Sequence, residues 1–251
     1  MRIIGLSGKA RHGKDTCAKI IQEIGREEFG ANIARMAFAW PLKARVYAEL
    51  AGLYTFEEVS VIKPAKVRRM LQEVGTEKGR NVFGEEFWTM QMEAFLTLME
   101  ESMPFVDAVA ISDVRFPNEV MFCRLGGRIY DQVIAEVEAQ AARELEYTPE
   151  REEYLLTHDP QKLYELDARY YQRVSELMDE RFRSAPGLAL WIESDRPTLT
   201  GEAALHPSET ALDALDKEID FDGIICNNTD VTLDGLREQL RPYVERLLSM
   251  K

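Results

Sequence analysis

The residues with the clearest chemical potential lie between Gly8 and Thr16, in the stretch Gly-Lys-Ala-Arg-His-Gly-Lys-Asp-Thr. Gly8, four intervening residues, Gly13 and Lys14 have the spacing G-x-x-x-x-G-K. Glycines at those positions let the backbone curl so that successive N–H groups point inward, and a following helix adds the positive end of its dipole. Such a loop suits polyphosphate, with Gly8, Ala10, Arg11, His12 and Gly13 forming the cradle and Lys14 reaching the β- and γ-phosphates, an ordinary Gly-rich turn between strand and helix being the plainer alternative. The usual Ser or Thr after the lysine, which holds Mg²⁺, is replaced by Asp15, with Thr16 next. The metal ligand is therefore open between Asp15, Thr16 and a water held by either.

A second group follows the apolar run 105–111: Ser112, Asp113, Val114 and Arg115. Asp113 at such a strand end suits Mg²⁺ through water or a hydrogen bond from a substrate. Arg115 suits charge that spreads over a transferring group, and a salt bridge capping the sheet edge is the plainer alternative. Arg68 and Arg69 are adjacent on an expected helix, so only one can face inward. An arginine fork matches the oxygens of a monophosphate, although paired arginines on a helix are usually solvated. Gln72 lies one turn further on.

The elements that must position these groups are legible from periodicity. Ile3, Ile4 and Leu6 read as a buried strand, and residues 16–28 read as a helix with Ile20, Ile21 and Ile24 on one stripe. Residues 34–39 read as a strand closed by Pro41, and 42–51 as a helix ended by Gly52. Residues 53–62 look irregular; 64–74 form a helix stopped by Gly75, and 85–103 a longer one. The run 105–111 is apolar enough for a central parallel strand, followed by a short helix over 118–125. Residues 128–187 are helical and acidic, punctuated by Pro149, Pro160 and Pro186, with an apolar stripe at Leu163, Leu166, Tyr170, Val174 and Leu177. Strands over 188–192 and 224–226, a short helix over 208–215 and a closing helix over 233–250 complete the chain. Five strands, each followed by helix, predict an α/β three-layer sandwich with a parallel sheet.

A chain of 251 residues suits one α/β domain with an insertion, or two small domains, and its net charge of −13 argues against a broad nucleic-acid-binding face. Three cysteines without metal spacing read as reduced thiols, the N-terminus enters a strand at once, and no apolar run approaches the length of a membrane span. The expectation is a cytoplasmic protein with no membrane partner.

Several motifs together resemble the phage-type deoxynucleoside monophosphate kinases. They are the Gly-Lys-Asp-Thr loop ending, Phe-Ala-Trp-Pro-Leu-Lys at 38–43, Arg68 to Thr76, Phe87-Trp88 and Ser112 to Glu119. Gly126-Gly127, Arg196-Pro197, His206-Pro-Ser-Glu209 and Ile225-Cys-Asn-Asn228 continue the likeness, which covers about 1–130 and 188–248. It implies a P-loop kinase fold with sheet order 2-3-1-4-5. The core would comprise 1–39, 105–129 and 188–251, with acceptor-binding helices over 40–104 and a helical lid insertion over 130–187. It implies transfer of the γ-phosphoryl group of ATP, with Mg²⁺, to a deoxynucleoside 5′-monophosphate.

Under that resemblance Lys14, Arg115 and Asp113 are catalytic, and Arg196 and Asn228 join the loop in holding ATP. Arg68, Arg69, Gln72, Trp88 and Trp40 would bind the acceptor. The plainer readings are a core role for Trp88, an αL-tolerant turn at Asn227-Asn228 and a helix start at Ser208-Glu209. Arg80 and His206 have no assignable role. Trp40 stands where many relatives carry Asp or Gly, and 130–187 has no counterpart in the short ones. These departures leave open a kinase acting on hydroxymethylated pyrimidines within DNA. A nucleotide-binding assembly module is a further alternative, and a homodimer is compatible with the apolar stripe.

Overall fold

The computed structural model describes residues 1–50 and 52–250. They form two compact units, Met1–Ile129 with Pro186–Lys251, and Tyr130–Ala185.

In the first unit five strands, β1 (Arg2–Ser7), β2 (Ile33–Met36), β3 (Ala108–Val114), β4 (Gly187–Glu193) and β5 (Gly223–Cys226), form one sheet in the order 2-3-1-4-5. Every pairing is parallel, with Ile3 beside Val109 on one flank of β1 and beside Gly187 on the other. Parallel strands need crossovers, and helices supply them on both faces. On one face α1 (Lys14–Glu28) lies with the last helix, Leu233–Ser249. Ile20, Ile21, Ile24, Leu236, Leu240 and Val244 pack there against Ile4, Leu6 and Leu190. The other face buries Ile3, Val109, Ile111, Ala189 and Trp191 under Met92, Leu96, Phe122 and Phe221. This is the predicted α/β three-layer architecture.

The segment between β2 and β3 departs from the sequence reading in four places. The second strand ends at Met36 rather than 39, and α2 (Ala39–Glu49) begins before Pro41, not after it. Proline is tolerated in a first helical turn, where its missing N–H has no partner to lose. The stretch expected to be irregular contains a π-helical turn, Glu58–Ile62, opened by reciprocal bonds between Thr55 and Glu58. Gly75 does not stop its helix: α3 (Ala65–Gln72) runs on through π-helical turns over Glu73–Arg80 into α4 (Asn81–Phe83). The left-handed residue that ends this run is Gly84, φ 93°. The following helix, α5, starts at Phe87 rather than 85 and ends at Ser102. Val46, Leu50, Val59, Val67 and Val74 give the segment a small core of its own. Ala51, at the expected end of the 42–51 helix, and Lys251 lie outside the described residues.

Strand β3 also starts later and runs further than expected, so Ser112 and Asp113 belong to its carboxyl end and Arg115 leaves it. Helix α6 (Pro117–Arg124) follows. The short helix expected over 208–215 covers only Pro207–Thr210.

The second unit is three helices, α7 (Tyr130–Leu145), α8 (Pro149–His158) and α9 (Pro160–Ser184). Pro149 and Pro160 open helices there, capped by Thr148 and Asp159, whose side chains accept from Arg151 and Lys162 N–H groups. Helix α9 packs on α7; Tyr147 donates to Asp167 at 2.7 Å, and Arg173 pairs with Glu144 at 2.7 Å. Leu166 and Leu177 of the predicted stripe are buried, with Leu163, Tyr170 and Val174 half-buried beside them. Among the described residues no helix is long and apolar enough to cross a membrane.

Candidate active site

Strand β1 is central, and its carboxyl end delivers the chain into the turn Gly8–Gly13 between β3 and β4. In open parallel sheets, ligands bind at this edge, where successive connections leave in opposite directions. The turn curls because Gly8 and Gly13 adopt φ 137° and 89°, and Arg11 joins them at φ 67°. Neither glycine has room for a side chain: an added Cβ would lie 2.4 Å from the Ile192 carbonyl oxygen at Gly8 and 2.2 Å from Asn227 Nδ2 at Gly13.

The loop is pinned from beneath by the ends of β4 and β5. Buried Asn227 donates its Nδ2 to the His12 carbonyl at 2.7 Å, and its own N–H goes to the Glu193 carbonyl at 2.8 Å. His12, also buried, places Nδ1 3.1 Å from the Ile192 carbonyl, so that nitrogen carries a proton. Asn227, which the sequence left open between a turn and a contact to a donor base, thus shapes the Gly8–Gly13 loop. Asn228 accepts from the Asp195 N–H at 3.1 Å. Arg196 extends a guanidinium nitrogen to within 3.8 Å of where a Cβ on Gly13 would sit, beside the start of α1.

Lys14 is buried, and its Nζ donates to the Gly8 and Lys9 carbonyls at 2.6 and 3.0 Å. Burial, and then the charge of Arg115, push its ammonium down to about 8. Asp15 and Thr16 are exposed at the helix start, and Asp15 accepts from Ser112 Oγ at 2.6 Å. Among the described residues no three acidic, histidine or cysteine side chains gather into a metal cage. The exposed oxygens of Asp15 and Thr16 nevertheless fit Mg²⁺, which keeps several waters and is commonly held by one or two protein oxygens together with substrate phosphates.

Asp113 has a different immediate task. Its two carboxylate oxygens accept the N–H groups of Phe38 and Ala39 at 2.6 and 3.0 Å, holding the start of α2 against the end of β3. The Arg115 guanidinium reaches Ser208 Oγ at 3.2 Å and the Glu209 carboxylate. Its backbone N–H goes to Glu119 at 2.7 Å, and Glu119 pairs in turn with Arg80. Arg80 also donates to the Glu85 carbonyl at 2.9 Å and stacks over Phe116, which assigns it the structural role that sequence could not supply.

Of the adjacent arginines, Arg68 bonds the Lys63 carbonyl at 3.0 Å, and its charge acts on Lys63 together with those of Lys43 and Arg115, whereas Arg69 lies near Glu73. Burial and these neighbouring cations, Lys43 first, push the Lys63 ammonium down. Lys63 was not singled out from sequence, and Lys43 only as the end of the motif at 38–43; no spacing rule links them, and the chain path between β2 and β3 brings the charge of one to bear on the other. Gln72 and Trp40 are exposed. Trp88 is buried, and its indole N–H donates to the Gly75 carbonyl at 2.8 Å, a placement that favours packing over base stacking.

No family model matches this chain, and no curated protein sequence matches it.

Proposed function

We propose that the protein is a P-loop kinase that transfers the γ-phosphoryl group of ATP to a deoxynucleoside 5′-monophosphate, acting in the cytoplasm. The observation that carries this reading is the curled Gly8–Gly13 turn on the central strand, with Lys14 buried beneath it and Arg115 beside it at the end of β3. Phosphoryl transfer requires two anions held in line with their charge neutralised, and little covalent help. Lys14, the loop amides and Arg196 would hold the donor phosphates. Arg115 would meet charge on the transferring group, and Arg68 with Lys43 and Lys63 would hold the acceptor phosphate. Asp15 and Thr16 would contribute oxygens to Mg²⁺, which when bound neutralises the donor phosphates. Asp113 supports this set through α2, the helix that carries Lys43.

The test is ADP release measured with ATP, Mg²⁺ and each deoxynucleoside monophosphate, with hydroxymethyl nucleotides and modified duplex DNA as further acceptors. Turnover that appears only on addition of a monophosphate supports the proposal. Turnover with DNA alone transfers the assignment to a DNA-directed kinase, and none with any acceptor favours a binding module.

A further inference from the structure

The Glu209 carboxylate lies among the very groups assigned to the donor. One oxygen accepts the Ala10 N–H of the phosphate loop at 3.2 Å, and the other accepts from the Arg115 guanidinium. Its backbone carbonyl takes Lys9 Nζ at 2.6 Å, and its side chain is only 10% exposed. The negative charge also acts on Lys14, opposing the effect of burial. The segment behind it is fixed: the Glu209 N–H bonds the His206 carbonyl at 2.8 Å, and His206 Nδ1 meets Ser208 Oγ at 2.8 Å.

A loop amide, a guanidinium and an ammonium are the partners that a terminal phosphoryl group requires. Here a carboxylate of the protein itself satisfies the amide and the guanidinium, while the Lys9 ammonium is held by the backbone carbonyl of the same residue. We propose that Glu209 is a specificity residue that discriminates nucleoside triphosphate from diphosphate by standing in for the terminal phosphoryl group. This rests on the phosphate-loop reading of Gly8–Lys14. A triphosphate must displace the carboxylate from Ala10 and Arg115, whereas a diphosphate ends short of them and leaves Glu209 in place. Glu209 therefore weakens the triphosphate selectively. Once the phosphoryl group has moved to the acceptor, the same carboxylate can return to Arg115 and Ala10 over the bound diphosphate, opposing reverse transfer.

The experiment is titration calorimetry of ATP and ADP, each with Mg²⁺, against the intact protein and its Glu209→Gln and Glu209→Asp variants, after thermal melts establish that each is folded. Glu209→Gln keeps the shape and removes the charge, so ATP should tighten by about tenfold while ADP stays within about twofold. Glu209→Asp, too short to span both partners, should shift the ATP-to-ADP ratio in the same direction by less. Equal weakening of both nucleotides in Glu209→Gln, or no change in either, overturns the assignment and leaves Glu209 a structural tie. Failure of the unmodified protein to bind either nucleotide overturns the phosphate-loop reading itself, and this inference with it.

Discussion

Arg80 and Glu119 form an ion pair almost entirely shut off from water, with side chains 9% and 4% exposed. The pair joins the helical segment between β2 and β3 to the turn that launches Arg115, because Glu119 also accepts the Arg115 N–H. Removing one partner of a buried pair strands the other charge, so Arg80→Met should cost about 3–5 kcal/mol of unfolding free energy. Burial pushes the Glu119 carboxyl up from 4.5 to about 7, with Arg80 opposing the shift. The folded chain therefore binds more protons than the unfolded one in that window, and this group's contribution to stability declines as pH rises through it. Without Arg80 the shift grows, so the deficit of the variant should widen as pH rises above about 7. Denaturant melts across that range check both statements; a pH-independent loss below about 1 kcal/mol would contradict the pairing.

Lys14 should dominate donor binding. A hydrogen bond to a charged partner contributes about 2–3 kcal/mol, so Lys14→Ala should reduce turnover by at least about 10²-fold. Its ammonium is lowered from 10.5 to about 8, and phosphates arriving beside it must raise it again. ATP binding above about pH 8 should then be accompanied by proton uptake, seen as a heat that varies with buffer ionisation enthalpy and disappears in Lys14→Met. The unfolded chain binds more protons between about 8 and 10.5, so the Lys14 contribution to stability rises with pH across that window.

Asp113 makes an internal test of how α2 is held. Asn at this position keeps the shape but offers one acceptor where Phe38 and Ala39 need two. Asp113→Asn should lower stability by about 1–2 kcal/mol and raise the acceptor KM more than the ATP KM. A drop in turnover with both KM values unchanged would instead give the carboxylate a direct part in the chemistry.

Trp88 separates packing from base recognition. Trp88→Phe removes the donor to the Gly75 carbonyl and should cost about 1–3 kcal/mol, with the acceptor KM within about twofold of the parent. A large increase in acceptor KM in a stably folded variant would return Trp88 to the binding site.

Much of this molecule was written in local sequence. The curled turn of Gly8–Gly13 was legible because it needs nearby residues of unusual type: two glycines with left-handed backbone and a lysine one step beyond. The strands were legible because parallel strands covered on both faces read as short apolar runs, as Ile3 to Leu6 and Leu188 to Ile192 do. Where local signals compete with distant partners, sequence rules misplace boundaries. Pro41 looked like a strand terminator, yet two N–H groups captured by Asp113, 75 and 74 positions along the chain, start a helix before it. Gly75 looked like a stop, yet its carbonyl serves the Trp88 indole and the helix widens past it.

Roles that depend on pairing across the fold had no local signature at all. Glu209 lies 199 residues from Ala10 and 94 from Arg115, and only the sheet order that sets β3, β1 and β4 side by side brings the three together. The same holds for Arg80 with Glu119 and for Lys43 with Lys63. Residue type and near-neighbour spacing decide which groups can bind phosphate. Which charges then face one another is decided by strand order and crossover path, because electrostatic contacts act through space.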